Sequence, residues 1–181
     1  KEEDVERAVE MIKASKRPYV FVGGGVIASD ASDELARFVK KIDAPVADSL
    51  MGKGAFDGTD PHYTGMLVMQ GTKSSSCGVS ECDLLIAIGA RFSDRVTGNA
   101  NKFAKNAKIL HFDIDAAEIN KNIHSDASVV GDALEILKRV NAKLEQQDRH
   151  EWLEHIHDYE KQYPMAYRKD CLNGPLIMEK I

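Results

Sequence analysis

Three successive glycines, Gly23, Gly24 and Gly25, follow the apolar run YVFV at 19–22. Such a turn lets the backbone bend tightly and present N–H groups to an anion where the next helix starts, a place that suits a dinucleotide pyrophosphate. The triplet is not the G-x-G-x-x-G fingerprint. Arg91 and Arg95, in GARFSDRVTG, are placed either to bind phosphate or to pair with Asp94 on the surface. Asp113 could accept hydrogen bonds from a ribose or an adenine amine, or it could cap, with Asp115, a helix containing Ala116, Glu118 and Ile119. Met66, Leu67 and Met69 beside Gln70 and Gly71 offer an adaptable apolar shelf to a flat ring, or simply core packing.

Other reactive residue types lead less far. His150, His155 and His157 lack the i, i+4 pairing of a helical metal site, so they read as a solvated helix face. Ser74, Ser75, Ser76 and Cys77 have no paired base and no G-x-S-x-G context, and they read as a helix start. Neither a catalytic constellation nor a metal-ligand set is complete in the chain.

The elements that must hold these residues alternate. Val5, Ala8, Val9 and Ile12 give a helix, YVFVG a buried strand, and Leu35, Phe38, Val39 and Ile42 a second helix. Strands follow at 45–49, around 62–66, at 84–89, at 108–115 and at 128–131, with helices near 73–80 and through Ala133, Ile136, Leu137, Val140 and Leu144. Continuous apolar runs mean strands covered on both faces, and helices between them mean parallel crossovers. The predicted fold class is α/β, a doubly wound, Rossmann-like parallel sheet with helices on both faces plus a C-terminal linker helix. Ligands of such sheets bind outside the carboxyl ends of the strands, where the loops singled out above lie. Beyond residue 146, Trp152, Ile156, Tyr159 and Tyr163 form one helical stripe ending at Pro164, which packs either on the body or on a neighbouring domain.

Composition sets the outer limits. The chain has 181 residues, 43% of them hydrophobic, and a net charge of −5, which describes one globular core with no basic stripe for nucleic acid or an anionic membrane. Cys77, Cys82 and Cys171 match neither a disulfide framework nor a C-x-x-C pair and read as reduced, cytoplasmic thiols. No run approaches the roughly 18 apolar residues of a membrane span. The chain lacks an initiator Met and ends on LNGPLIMEKI, where Pro175 could start a two-turn helix, so both ends are expected to be cuts in a longer polypeptide.

Taken in order, GGGVI, PVADSLMGKG, GMLVMQGT, SECDLLIAIGARFSDRVTG, KILHFDIDAAEINKN and SVVGD resemble the central domain of acetolactate synthase (acetohydroxyacid synthase) large subunits over about residues 1–146. Residues 147–181 look like that family's linker into a C-terminal domain. The resemblance implies a thiamine-diphosphate-dependent transferase that condenses two 2-ketoacids with loss of CO₂. It further implies a central domain that holds FAD in a structural role and is not catalytic alone. Thiamine diphosphate and Mg²⁺ would belong to segments outside this chain.

Carried over by motif, the FAD contacts are Gly24, Ser49, Leu50, Leu67, Val68, Met69, Gln70, Gly89, Ala90, Arg91, Phe92, Ser93, Asp113, Ile114, Asp132 and Ala133. Gly24 and Arg91 would face the pyrophosphate, Asp113 and the Asp132 turn the adenosine, and Met69 and Gln70 the ring. The implied partners are flanking domains of the same polypeptide, further copies in a homo-oligomer and a regulatory small subunit, in the cytoplasm. The family usually has His where this chain has Gln70 and usually has Asp where it has Ser93. Gln cannot titrate near neutral pH, and Ser93 removes a carboxylate beside Arg91 and Arg95. A flavin-free acetolactate synthase, a sister enzyme such as glyoxylate carboligase, pyruvate oxidase or oxalyl-CoA decarboxylase, a stand-alone adenine-dinucleotide module, and a spacer with a decayed site are the alternatives.

Overall fold

The computed structural model describes residues 1–67, 69, 71–164 and 166–181. Val68 and Gln70, both expected contacts, lie outside the described residues. Six strands, β1 (Pro18–Val22), β2 (Val46–Asp48), β3 (Tyr63–Met66), β4 (Leu84–Ile88), β5 (Lys108–Asp113) and β6 (Ala127–Val130), form one sheet in the order β3-β2-β1-β4-β5-β6. Every pairing is parallel, with Val20 beside Val46 and Ile86, and Ile86 beside Leu110. The sheet is doubly wound, as the apolar runs predict.

Both faces are covered because successive strand residues alternate in direction. Val20, Val22, Val46, Ile86, Ile88, Leu110 and Phe112 face one core, which α1 (Glu2–Ala14), α3 (Ser32–Ile42) and α6 (Ala133–Lys143) complete. Tyr19, Phe21, Ala47, Leu85, Ala87 and Ile109 face a second core, closed by Val79 of α4 (Lys73–Glu81) and by Trp152 and Ile156 of α7 (His150–Gln162). The helices carry ordinary start and stop signals. Glu2, Glu3 and Asp4 open α1, and Asp33 and Glu34 open α3, which ends in Lys40 and Lys41. Of two short helices, α2 (Gly24–Ala28) starts within the glycine triplet, where a helix start is expected, and α5 (Asp94–Thr97) lies in a segment read from sequence as a loop.

The stripe on α7 packs on the body. Trp152 donates its indole N–H to Pro18 O at 2.8 Å. Arg149, just before the helix, donates to Ile12 O at 2.9 Å, Ser15 O at 2.8 Å and Ile42 O at 2.5 Å, so one guanidinium ties down the carbonyl ends of α1 and α3. Pro175 does open a short helix, α8 (Gly174–Lys180), with Asn173 accepting from Leu176 N at 3.0 Å.

The helix expected around Ala116, Glu118 and Ile119 is absent, and the segment is a chain of turns. Asp113 accepts from Asp115 N at 2.9 Å, Asp115 from Ala117 N at 2.9 Å, and Asn120, at φ 62, accepts from Ser125 N at 2.7 Å. Short polar side chains satisfy the N–H groups that a helix would have used.

Candidate functional site

In a sheet of this order the direction of winding reverses between β1 and β4, and a crevice forms outside their carboxyl ends. Backbone clasps that point together. Gly23 N donates to Ile88 O at 3.0 Å, Gly25 N to Gly89 O at 3.0 Å, and Gly89 N to Phe112 O at 2.8 Å. A Cβ on Gly23 would sit 2.2 Å from Gly89 O, one on Gly25 2.7 Å from Gly89 Cα, and one on Gly52 2.5 Å from Val22 O. Two members of the glycine triplet are therefore required by close backbone approach, before any ligand is considered. Gly24 differs. Among the described residues its N–H meets no acceptor, and it is only half-buried.

The rim of the crevice is largely apolar and carries the cation Arg91. Leu50 and Met51 after β2, Met69 after β3 and Ile114 after β5 are 70%, 75%, 81% and 70% exposed. Large apolar side chains gathered at one edge of a sheet mark a surface made to be covered. Arg91 after β4 is exposed, and among the described residues its guanidinium makes no hydrogen bond or ion pair. Six strand ends spaced about 4.8 Å apart give an edge of roughly 24 Å, long enough for an extended dinucleotide.

The other expected contacts are placed differently. Leu67, Ala90 and Ala133 are buried, and the Phe92 ring turns into the second core, with centroids 6.3 Å from Phe21, 5.9 Å from Phe103 and 5.1 Å from His111. These residues can offer a ligand only main chain. Ser49 Oγ accepts from Gly52 N at 3.1 Å and shapes the 3-10 turn that carries Leu50 and Met51. Ser93 is half-buried at the start of α5. Asp113 is buried, with Oδ2 3.5 Å from His111 Nε2. Asp132 caps α6, accepting from Leu134 N at 3.0 Å and Glu135 N at 3.2 Å. A hydrogen bond from Ser29, together with those two N–H groups, holds its carboxyl below the usual carboxylate range.

Neither Arg91 nor Arg95 pairs with Asp94, whose carboxylate accepts Arg95 N–H at 2.9 Å. Ser74 and Ser75 are buried and donate to Thr64 O at 3.2 and 2.9 Å, while Thr72 caps α4, so these hydroxyls serve the helix start. His150, His155 and His157 bond to Asp148, Glu81 and Pro61 O on the surface. Among the described residues no group of three or more His, Cys, Asp or Glu side chains could hold a metal ion. Burial pushes the Cys82 thiol up to about 12, far from thiolate chemistry at neutral pH. A concavity lined by Ser15, Lys16, Arg17, Arg149, Trp152 and His155 lies at the amino end of β1, away from the crevice.

Two residues at the site escape a reading by motif. Met51 touches Gly24, where an added Cβ would lie 3.1 Å from Met51 O, and its only signal is its place in SLMGKG. His111 is 1% exposed and bonds to Ala90 O at 3.1 Å, and its signal is a polar residue inside the apolar run KILHF.

Residues 5–140 match the model of the thiamine pyrophosphate enzyme central domain. The chain belongs to this family. The matched stretch runs from within α1 to within α6 and takes in all six strands of the sheet. As a thiamine pyrophosphate enzyme central domain the chain is 48% identical over 87% of its length to the probable acetolactate synthase large subunit of Methanocaldococcus jannaschii. It is 42% identical over 98% of its length to the acetolactate synthase large subunit of Corynebacterium glutamicum, and 37% identical over 98% to the isozyme 3 large subunit of Escherichia coli. The chain spans 27%, 30% and 31% of those relatives. No helix among the described residues is long and apolar enough to cross a membrane.

Proposed function

We propose that this chain is the FAD-binding central domain of an acetolactate synthase large subunit. The full-length protein would be a cytoplasmic transferase of branched-chain amino-acid synthesis. It condenses pyruvate with pyruvate or with 2-ketobutyrate and releases CO₂. The activity rests on the likeness to the acetolactate synthases of three organisms over most of this chain. Flanking domains, further copies of the subunit and a regulatory small subunit are its partners in this reading.

One observation carries the assignment of FAD to the crevice: Gly24 N–H and Arg91, both without a partner among the described residues, share a strand-end edge with four exposed apolar side chains. A dinucleotide asks for that combination, with donors for its pyrophosphate and apolar surface for its rings. The residues present fit it. Gly24 and Arg91 would hold the pyrophosphate, Leu50, Met51 and Met69 the flavin ring, and Ile114 with the Asp132 turn the adenosine. The flavin stays structural. Thiamine diphosphate, when bound by other segments with Mg²⁺, supplies the carbanion stabilisation, and this domain's residues orient and cover. A second reading, another adenine nucleotide in a sister enzyme such as glyoxylate carboligase, draws on Gln70 and Ser93, where the chain departs from the acetolactate synthase motifs.

The test is direct. Full-length protein with thiamine diphosphate, Mg²⁺ and FAD forms acetolactate from pyruvate, and failure to do so rejects the assignment. Arg91→Ala weakens FAD by about 1–3 kcal/mol, the range of a charge-assisted contact, and leaves the melting temperature of the FAD-free protein unchanged.

A further inference from the structure

Arg91 is exposed on a loop, yet it must face the crevice, so something has to fix the backbone that carries it. Both neighbours of Arg91 are anchored to one side chain. His111 lies on β5 beside Ala87 of β4 and is 1% exposed. Its Nε2 lies 3.1 Å from Ala90 O, and its ring meets the Phe92 ring edge-on at 5.1 Å. A carbonyl can only accept, so Nε2 carries the proton and Nδ1 is the bare nitrogen. Nδ1 is buried and has no partner among the described residues. A leucine would fill this position in a strand covered on both faces without burying an orphan nitrogen. It would leave Ala90 O without a donor. The preceding carbonyl, Gly89 O, is taken from the other side by Gly25 N at 3.0 Å, and Ser93 N closes the turn onto Arg91 O at 2.9 Å. The segment is thus strung between the β1 turn and β5, with Arg91 projecting from its middle.

We propose that His111 is a positioning residue of the nucleotide crevice, holding Ala90 O and the Phe92 ring so that Arg91 faces the ligand. This rests on the nucleotide reading of the crevice. The test uses full-length wild type, His111→Leu and His111→Gln, read by hydrogen exchange across residues 89–97 and by FAD titration. Leucine keeps volume without a donor, whereas the glutamine amide can still donate to Ala90 O. Exchange of the segment and the FAD dissociation constant each rise about tenfold in the leucine variant, the scale of one buried hydrogen bond. The glutamine variant returns both to near wild type, and exchange of α1 and α3 is unchanged in either.

A leucine variant that exchanges and binds like wild type overturns the proposal, and so do leucine and glutamine variants that are equally impaired. Should the leucine variant fail to fold, the imidazole nitrogen spectrum of the wild type decides: an Nδ1–H tautomer at His111 overturns the proposal, and a hydrogen-bonded Nε2–H supports it. No FAD binding by wild type overturns the nucleotide reading, whereas wild-type binding with insensitive variants overturns this proposal alone.

Discussion

Replacing Gly23 by alanine adds one methyl group at the tightest backbone contact of the fold. That Cβ would stand 2.2 Å from Gly89 O, 2.6 Å from Ala90 Cα and 2.8 Å from Ala90 Cβ, and two of the three obstacles are backbone. To reach ordinary contact the end of β4 must retreat by more than an ångström. That displacement breaks the two clasping hydrogen bonds, Gly23 N to Ile88 O and Gly25 N to Gly89 O, both 3.0 Å. Overpacking costs about 1–3 kcal/mol and each lost backbone hydrogen bond about 1 kcal/mol net, so the expected destabilisation is about 3–5 kcal/mol. Urea unfolding followed by fluorescence of Trp152, the chain's one tryptophan, measures it. Gly174→Ala is the control, because a Cβ there meets nothing within 4 Å, and its midpoint stays near wild type. A Gly23→Ala chain within about 1 kcal/mol of wild type, below even the low end of the overpacking range, would refute the reasoning.

Burial pulls the His111 imidazole below its ordinary pKa, against Asp113 and the Ala90 carbonyl, which pull it up. The unfolded chain then takes the proton more readily, near pH 6.5, so the contribution of His111 is present above about pH 6.5 and is lost as pH falls below it. Between pH 7.5 and 5.5 the urea midpoint of wild type drops further than that of His111→Gln, and equal drops would contradict the assignment. Trp152→Ala removes a buried ring and the bond to Pro18 O, at a cost of about 3–5 kcal/mol. Hydrogen exchange in α4 and α7 then rises, and undiminished protection of α7 would show that it is docked by something else. Iodoacetamide labels exposed Cys171 in the folded chain and leaves buried Cys82 unmodified. Mass spectrometry of the peptides checks this, and equal labelling of the two thiols would contradict the burial.

The sheet was legible because its strands are apolar on both faces. Tyr19 and Phe21 enter one core while Val20 and Val22 enter the other, so the run shows no alternation and reads as a buried parallel strand. The docking of α7 was not legible, since the same stripe suits any apolar partner and Trp152 finds a backbone carbonyl that no pattern records. The extent of helix α2 was not legible, since glycine is a poor helix former and its first turn is held by the contact of Gly25 with Gly89. At the site, strand ends could be located but not the sense of each side chain. Arg91 and Phe92 are adjacent, yet one is exposed and the other fills the second core. A loop has no period from which that difference could be read. His111 carried a signal of another kind, a polar residue in a run that should hold none, and it led to the Ala90 carbonyl.

The absorbance spectrum of the full-length protein, recorded after gel filtration from excess FAD, tests the nucleotide crevice most directly. Flavin bands at one cofactor per chain, reduced in Arg91→Ala and retained in Lys16→Ala at the opposite end of the sheet, are the predicted result. A wild-type spectrum without flavin bands, or Arg91→Ala retaining flavin as fully as Lys16→Ala, would contradict it.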